Sequence, residues 1–124
     1  MRRAHQKAVE EFSQNYPGKL PLRVAPANFF GLLSQGMTQV RGNGTLFLTD
    51  EKLVFKMMVP SRWIEVPIPR IQNIDNPRSF LGKTKGRKLL AVQFSNNDGS
   101  DDAAAWLVGD LEGWSRDLRR ISHG

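Results

Sequence analysis

The segment from Arg78 to Lys88 carries the chemistry the sequence offers most openly. Its eleven residues hold five bases, Arg78, Lys83, Lys85, Arg87 and Lys88, and no acid. Gly82 and Gly86 interrupt the run, and Phe80 with Leu81 sets an apolar pair inside it. Cations at this density attract phosphate. At an anionic bilayer each base near the surface is worth about 1 kcal/mol, screened by salt, and an inserted Phe80 adds about 1–2 kcal/mol of apolar burial. The same groups suit the phosphates of a nucleic acid, with Phe80 stacked on a base. A third reading folds Phe80 and Leu81 back onto the protein and leaves the cations merely hydrated.

Other chemistry is thinly represented. The chain has no cysteine, which removes a disulfide framework, a thiolate zinc site and a cysteine nucleophile together. His5 and His123 stand in the terminal regions without a carboxylate or second histidine at ligand spacing, and fraying explains them best. Asp98, Asp101 and Asp102 lack the downstream glutamate and the spacing of a calcium loop, so a solvated turn is expected. Gly42-Asn43-Gly44 precedes no helix and is no phosphate cradle. No serine sits in a nucleophile elbow. The expectation is a protein without catalysis, cofactor or metal.

Charge is distributed unevenly. Residues 1–50 carry +3, residues 51–95 carry +6 and residues 96–124 carry −3. This asymmetry favours an anionic partner for the middle of the chain. A hydrated surface that keeps a small protein soluble produces it equally well.

The basic segment needs a scaffold, and the hydropathy pattern describes one. With 124 residues and 40% hydrophobic composition the chain suits one globular unit. Arg2, Arg3 and Lys7 are not followed by the apolar stretch of a signal peptide, and no apolar run approaches the roughly 20 residues of a membrane span. A cytoplasmic protein, or one peripheral to the membrane, is the expectation. Residues 4–16 can form a helix with Ala4, Ala8, Val9, Phe12 and Tyr16 on one side, stopped by Pro17-Gly18. Between Lys19 and Gly36 a strand or a short helix is equally allowed.

Beyond Gly36 the period changes to two. Thr38–Arg41 leads into Gly42-Asn43-Gly44, whose residues suit a tight hairpin turn. Strands follow at Thr45–Thr49, Leu53–Val59 and Trp63–Ile68, the last ending at an edge or bulge because Pro67 and Pro69 cannot donate to a ladder. Ile71 and Ile74 read as a short irregular segment tucked on the core. Leu90–Phe94 and Ala103–Gly109 read as a closing hairpin around a polar loop. Asp110 is a suitable N-cap for a helix bearing Leu111, Trp114, Leu118 and Ile121 on one stripe. The expected fold class is mainly β, a small antiparallel barrel or sandwich of about six or seven strands, capped by this amphipathic helix.

Several of these segments resemble one family. Gly44-Thr45-Leu46-Phe47-Leu48-Thr49 followed by Leu53-Val54-Phe55 is similar to the G-x-L-x-L-T … L-x-F hairpin of GRAM and bacterial pleckstrin-homology-like domains. Val66-Pro67-Ile68 with Ile71 resembles their I-P-L-x-x-I segment, and Leu90–Phe94, Trp106–Val108 and the Trp114 helix resemble their closing hairpin and capping helix. The resemblance covers roughly residues 37–122. It implies a PH-like barrel over residues 19–124, preceded by a helix or leader over residues 1–18. It also implies a binding module without catalysis; the acid-free basic segment makes an anionic membrane lipid or an acidic protein surface the expected partner, with Arg78, Phe80, Lys83, Lys85, Arg87 and Lys88 as the expected binding residues. The alternatives are a protein-interaction or self-assembly module working through strand edges or the first helix, with the basic segment incidental, and nucleic-acid binding through the basic segment. Phosphoinositide-binding members carry several bases around the first hairpin loop. Here that loop offers Arg41 alone, so specific inositol-phosphate recognition there is not expected.

Overall fold

A computed structural model describes residues 2–36, 41–84 and 86–123, with Arg2, Ala4 and Thr84 described through their backbone alone. Helix α1 (Arg2–Asn15) is followed by strands β1 (Arg23–Leu32), β2 (Gly42–Leu48), β3 (Lys52–Met57), β4 (Arg62–Pro67) and β5 (Ile71–Asp75). A two-stranded ribbon, β6 (Ser79–Phe80) and β7 (Lys83–Thr84), precedes β8 (Leu90–Ser95), β9 (Asp101–Val108) and helix α2 (Leu111–His123). Seven strands make one antiparallel sheet in the order β4-β3-β2-β1-β9-β8-β5. The sheet is not closed: β4 and β5 are its edges, and the ribbon forms a separate small sheet.

Three segments differ from the sequence expectation. The ambiguous stretch before Gly36 supplies the central strand, β1, paired with both β2 and β9. Pro26 is tolerated there because pairing with β9 begins only at Ala27, so a missing N–H at that point leaves the β9 ladder whole. Gly42-Asn43-Gly44 is no hairpin turn but the first half of β2, opposite Phe29, Asn28 and Ala27. The expected strand at Thr38–Arg41 falls mostly on residues outside those described. Ile71–Asp75 is a strand at the sheet edge, where pairing on one side only accommodates the register shift near Gln72.

Alternation sorts side chains onto two faces. The inner face carries Phe29, Leu46, Phe55, Val92 and Trp106 and meets Trp114 and Leu118 of α2 in the main core. Helix α2 packs against β5, β8 and the short turn Ile68–Arg70. It is capped as its sequence predicts, with Gly113 N–H donating to Asp110 Oδ1 at 3.3 Å. The outer face is covered twice. Helix α1 docks Ala8 and Phe12 on Phe47 and Val54, with Phe12 and Phe47 stacked at 4.3 Å between ring centroids. On the other half, Phe80 of the ribbon packs with Phe30, Leu89, Ala91 and Ala105.

An ion-pair latch ties β1 to α2. Arg23 donates from Nε to Asp117 Oδ2 at 2.6 Å and from Nη1 to Asp110 Oδ2 at 2.8 Å, and its guanidinium lies over the Trp114 ring. The hydrogen bond from Arg23 holds the Asp117 carboxyl below its ordinary value of 3.8. A depressed carboxylate contributes stability that is whole above its unfolded pKa and is lost as pH falls through the folded value. Asp117→Asn is therefore expected to melt below the wild type at neutral pH, with the two melting temperatures converging as pH drops beneath 3.8. A gap that persists at low pH contradicts this account.

Candidate functional site

The basic segment is a built element and no loose loop. Residues Leu81 and Gly82, with φ of 54° and 74°, turn β6 into β7, and Phe80 pairs with Lys83. Positive φ at both central positions is the requirement of a two-residue type I′ hairpin. Phe80 is partly buried against Phe30 and Leu89, so it is spent on the ribbon's docking and is no exposed anchor. Lys83 Nζ donates to the Phe30 carbonyl at 3.5 Å, and Arg78 Nη1 donates to the Gly86 carbonyl at 3.3 Å. Arg87 and Lys88 are exposed. Lys85 lies outside the described residues.

The tertiary structure adds residues to this set. The Arg41 guanidinium sits over the Phe30 ring at 5.3 Å, on the residue whose carbonyl Lys83 reaches. Arg87 lines a cleft of about 560 Å³ on the outer sheet face, together with His5, Asn28, Asn43, Thr45 and Met58. The cleft is the gap left between the two covers, α1 and the ribbon. Its lining is mostly apolar, with Pro26, Ala27, Leu107 and Val108, and two amides are set in it because Asn28 and Asn43 are cross-strand partners in β1 and β2, where Asn28 Nδ2 donates to Asn43 Oδ1. Asn28 Oδ1 and His5 Nδ1 are buried and have no hydrogen-bond partner among the described residues. By sequence His5 belongs to a terminal region where fraying is expected. Its place on the first turn of α1, and the docking of that helix by Phe12, bring it to the cleft.

Met58 lines this cleft, and with Val59 it also lines a smaller hollow that includes Lys7 and Lys56. Met58 and Val59 are 47% and 79% exposed at the β3–β4 turn. Lys56 is withdrawn from this surface: it is 8% exposed, faces Glu11 at 3.5 Å and lies over the Trp63 ring. Asp102, expected in a solvated turn, is buried in β9 and accepts from both the backbone N–H and the hydroxyl of Ser34. Asp98 accepts from the N–H and hydroxyl of Ser100, and these bonds hold its carboxyl below the ordinary value. Both aspartates serve local structure. Among the described residues no helix is long and apolar enough to cross a membrane.

An open seven-stranded antiparallel sheet with a C-terminal amphipathic helix against its inner face is consistent with the PH-like fold. The comparisons agree with that class. The structure is similar to the C-terminal domain of an unknown protein from Leishmania infantum (TM-score 0.68, 12% identity, 96% of this chain and 98% of that one). It is also similar to the PDZ-RhoGEF DH/PH domains in their complex with activated RhoA (TM-score 0.60, 11% identity, 98% of this chain and 34% of that one). No family model and no curated protein matches the sequence. Likeness at this identity speaks for the fold alone.

Proposed function

We propose that the chain is a GRAM- or bacterial PH-like binding module, without catalysis or cofactor, that docks on an anionic membrane surface. The observation that carries this reading is the exposed pair Met58-Val59, with Lys7 and the Lys56–Glu11 ion pair lining the hollow on one side and Arg87 lining the cleft that Met58 shares on the other. An apolar tip rimmed by bases suits the cytoplasmic leaflet, where insertion and attraction to anionic lipid add. The available cations support it too. Lys19, Arg23, Lys52 and Lys56 face carboxylates, whereas Arg87 and Lys88 have none within ion-pair distance among the described residues. Phe80, folded onto the sheet, gives up the anchoring role to Val59. Self-assembly through α1 finds less support, because Ala8 and Phe12 of its apolar stripe are buried on Phe47 and Val54.

The test is sedimentation of the full chain with phosphatidylcholine vesicles, with and without phosphatidylglycerol, over a salt series. At about 1 kcal/mol per base, Arg87→Ser with Lys88→Ser weakens partitioning roughly thirtyfold. Val59→Asp weakens it at least as much, since it replaces apolar burial by a repelled charge. Equal binding to neutral vesicles, or indifference to both changes, overturns the membrane reading and leaves an acidic protein surface or a nucleic acid to be tried with the same variants.

A further inference from the structure

We infer that Met58 is a reversible oxidation site whose sulfoxide releases the chain from the membrane surface. The inference rests on the membrane reading above and names how that contact is regulated. The chain has no cysteine, so its sulfur chemistry belongs to four methionines. Two of them are adjacent and stand in opposite surroundings. Met57 is 2% exposed in the main core, whereas Met58 is half-exposed at the β3–β4 turn and packs in none of the buried clusters of the described residues. The susceptibility of a thioether follows its exposure, so an oxidant meets Met58 and is kept from Met57. The turn itself is held through the backbone, where Met58 N–H donates to the Asn43 carbonyl at 3.0 Å. Oxidation at Met58 therefore changes the surface and spares the core, which separates a switch from damage.

Hydrogen peroxide supplies the oxygen. A lone pair of Met58 Sδ attacks one peroxide oxygen, the O–O bond breaks, and the departing hydroxide takes the proton of the transferred oxygen and leaves as water. Sulfur loses two electrons and the peroxide gains them. The product is polar, and it stands beside Val59 in the apolar pair that enters the bilayer. Its new oxygen is a hydrogen-bond acceptor. Met58 shares its cleft with Arg87 and its hollow with Lys7, so a cation is at hand on either side to hold the sulfoxide off the lipid. Sulfoxide reductases regenerate the thioether, which makes the release reversible.

The experiment treats the full chain with hydrogen peroxide and locates the added oxygen by tandem mass spectrometry. Sedimentation with phosphatidylcholine vesicles containing phosphatidylglycerol is then measured. Met58 is expected to be oxidised while Met57 stays intact, and partitioning to weaken about tenfold, the worth of burying that side chain. Methionine sulfoxide reductases of both epimer specificities should restore it. Met58→Leu keeps an apolar side chain without the thioether. It should bind as the untreated protein does and be indifferent to peroxide, which sets aside any effect of Met1 and Met37. Met58→Gln, polar from the outset, should bind about tenfold more weakly before any treatment.

Three results overturn the inference and leave the membrane reading standing: oxidation of Met57 ahead of Met58, vesicle binding that survives oxidation of Met58, or a Met58→Leu chain that still loses binding to peroxide. No vesicle binding by the untreated chain overturns both.

Discussion

Trp114→Ala is expected to lower the unfolding free energy by about 3–5 kcal/mol, the usual cost of truncating a buried aromatic to alanine. The indole is 1% exposed in the main core beside Leu118 and lies under the Arg23 guanidinium. Its removal opens a cavity where α2 meets the inner face of the sheet. It also strips the Arg23 latch of its apolar bed. Domains of this size hold about 5–15 kcal/mol in total, so about a fifth or more of the stability disappears. The check is guanidinium unfolding, with a lower midpoint and an unchanged slope. Trp114→Phe, which keeps most of the packing, should cost less than half as much. A loss below about 1 kcal/mol for the alanine variant means that α2 does not hold the sheet's inner face together.

The second large effect concerns Gly44. A Cβ there would stand 2.1 Å from the Lys56 carbonyl oxygen and 2.7 Å from Phe55 Cζ. The obstacle is backbone on the neighbouring strand, held by the β2–β3 ladder that pairs Gly44 with Met57, and it cannot swing aside as a side chain does. Gly44→Ala is expected to cost about 3 kcal/mol, at the upper end of overpacking effects. Gly42→Ala is the internal control. Its Cβ would meet the Met57 side chain alone, the sulfur at 2.7 Å, and a thioether adapts, so the cost falls to about 1 kcal/mol. Denaturant unfolding of the two variants decides the matter. A Gly42 variant weaker than the Gly44 variant removes the case for cross-strand crowding.

Those two glycines mark a limit of sequence reading. Gly-Asn-Gly is the composition of a tight turn, and nothing local separates that use from a strand that must pass close to its neighbour. Short runs of strand-forming residues bounded by turn signals, by contrast, mark β2, β3, β4, β8 and β9, even though Phe47, Val54, Ala91 and Ala105 are buried on the outer face as well. The stripe of Leu111, Trp114, Leu118 and Ile121 identifies α2 because one face of that helix meets the core. Strand β1 is ambiguous because Pro21 and Pro26 punctuate its stretch of sequence and its apolar residues do not alternate, Phe29 entering the main core and Phe30 the ribbon's cluster. In the candidate site the cations were visible as a charge run. That Phe80 faces inward, and that Met58 and Val59 face solvent, depends on which sheet face each element covers.

From composition and periodicity alone come the mainly β class, the closing amphipathic helix and a concentration of positive charge between residues 78 and 88. These are local properties: side-chain type, spacing and the absence of acids act without reference to distant residues. The cleft is of another kind. His5, Asn28, Asn43 and Arg87 are separated by up to eighty-two positions and meet because α1 and the ribbon cover opposite halves of one sheet face and leave a strip of it open. Only docking between elements decides where that strip lies, since the apolar burial that drives docking is non-directional and leaves no spacing signature in the chain.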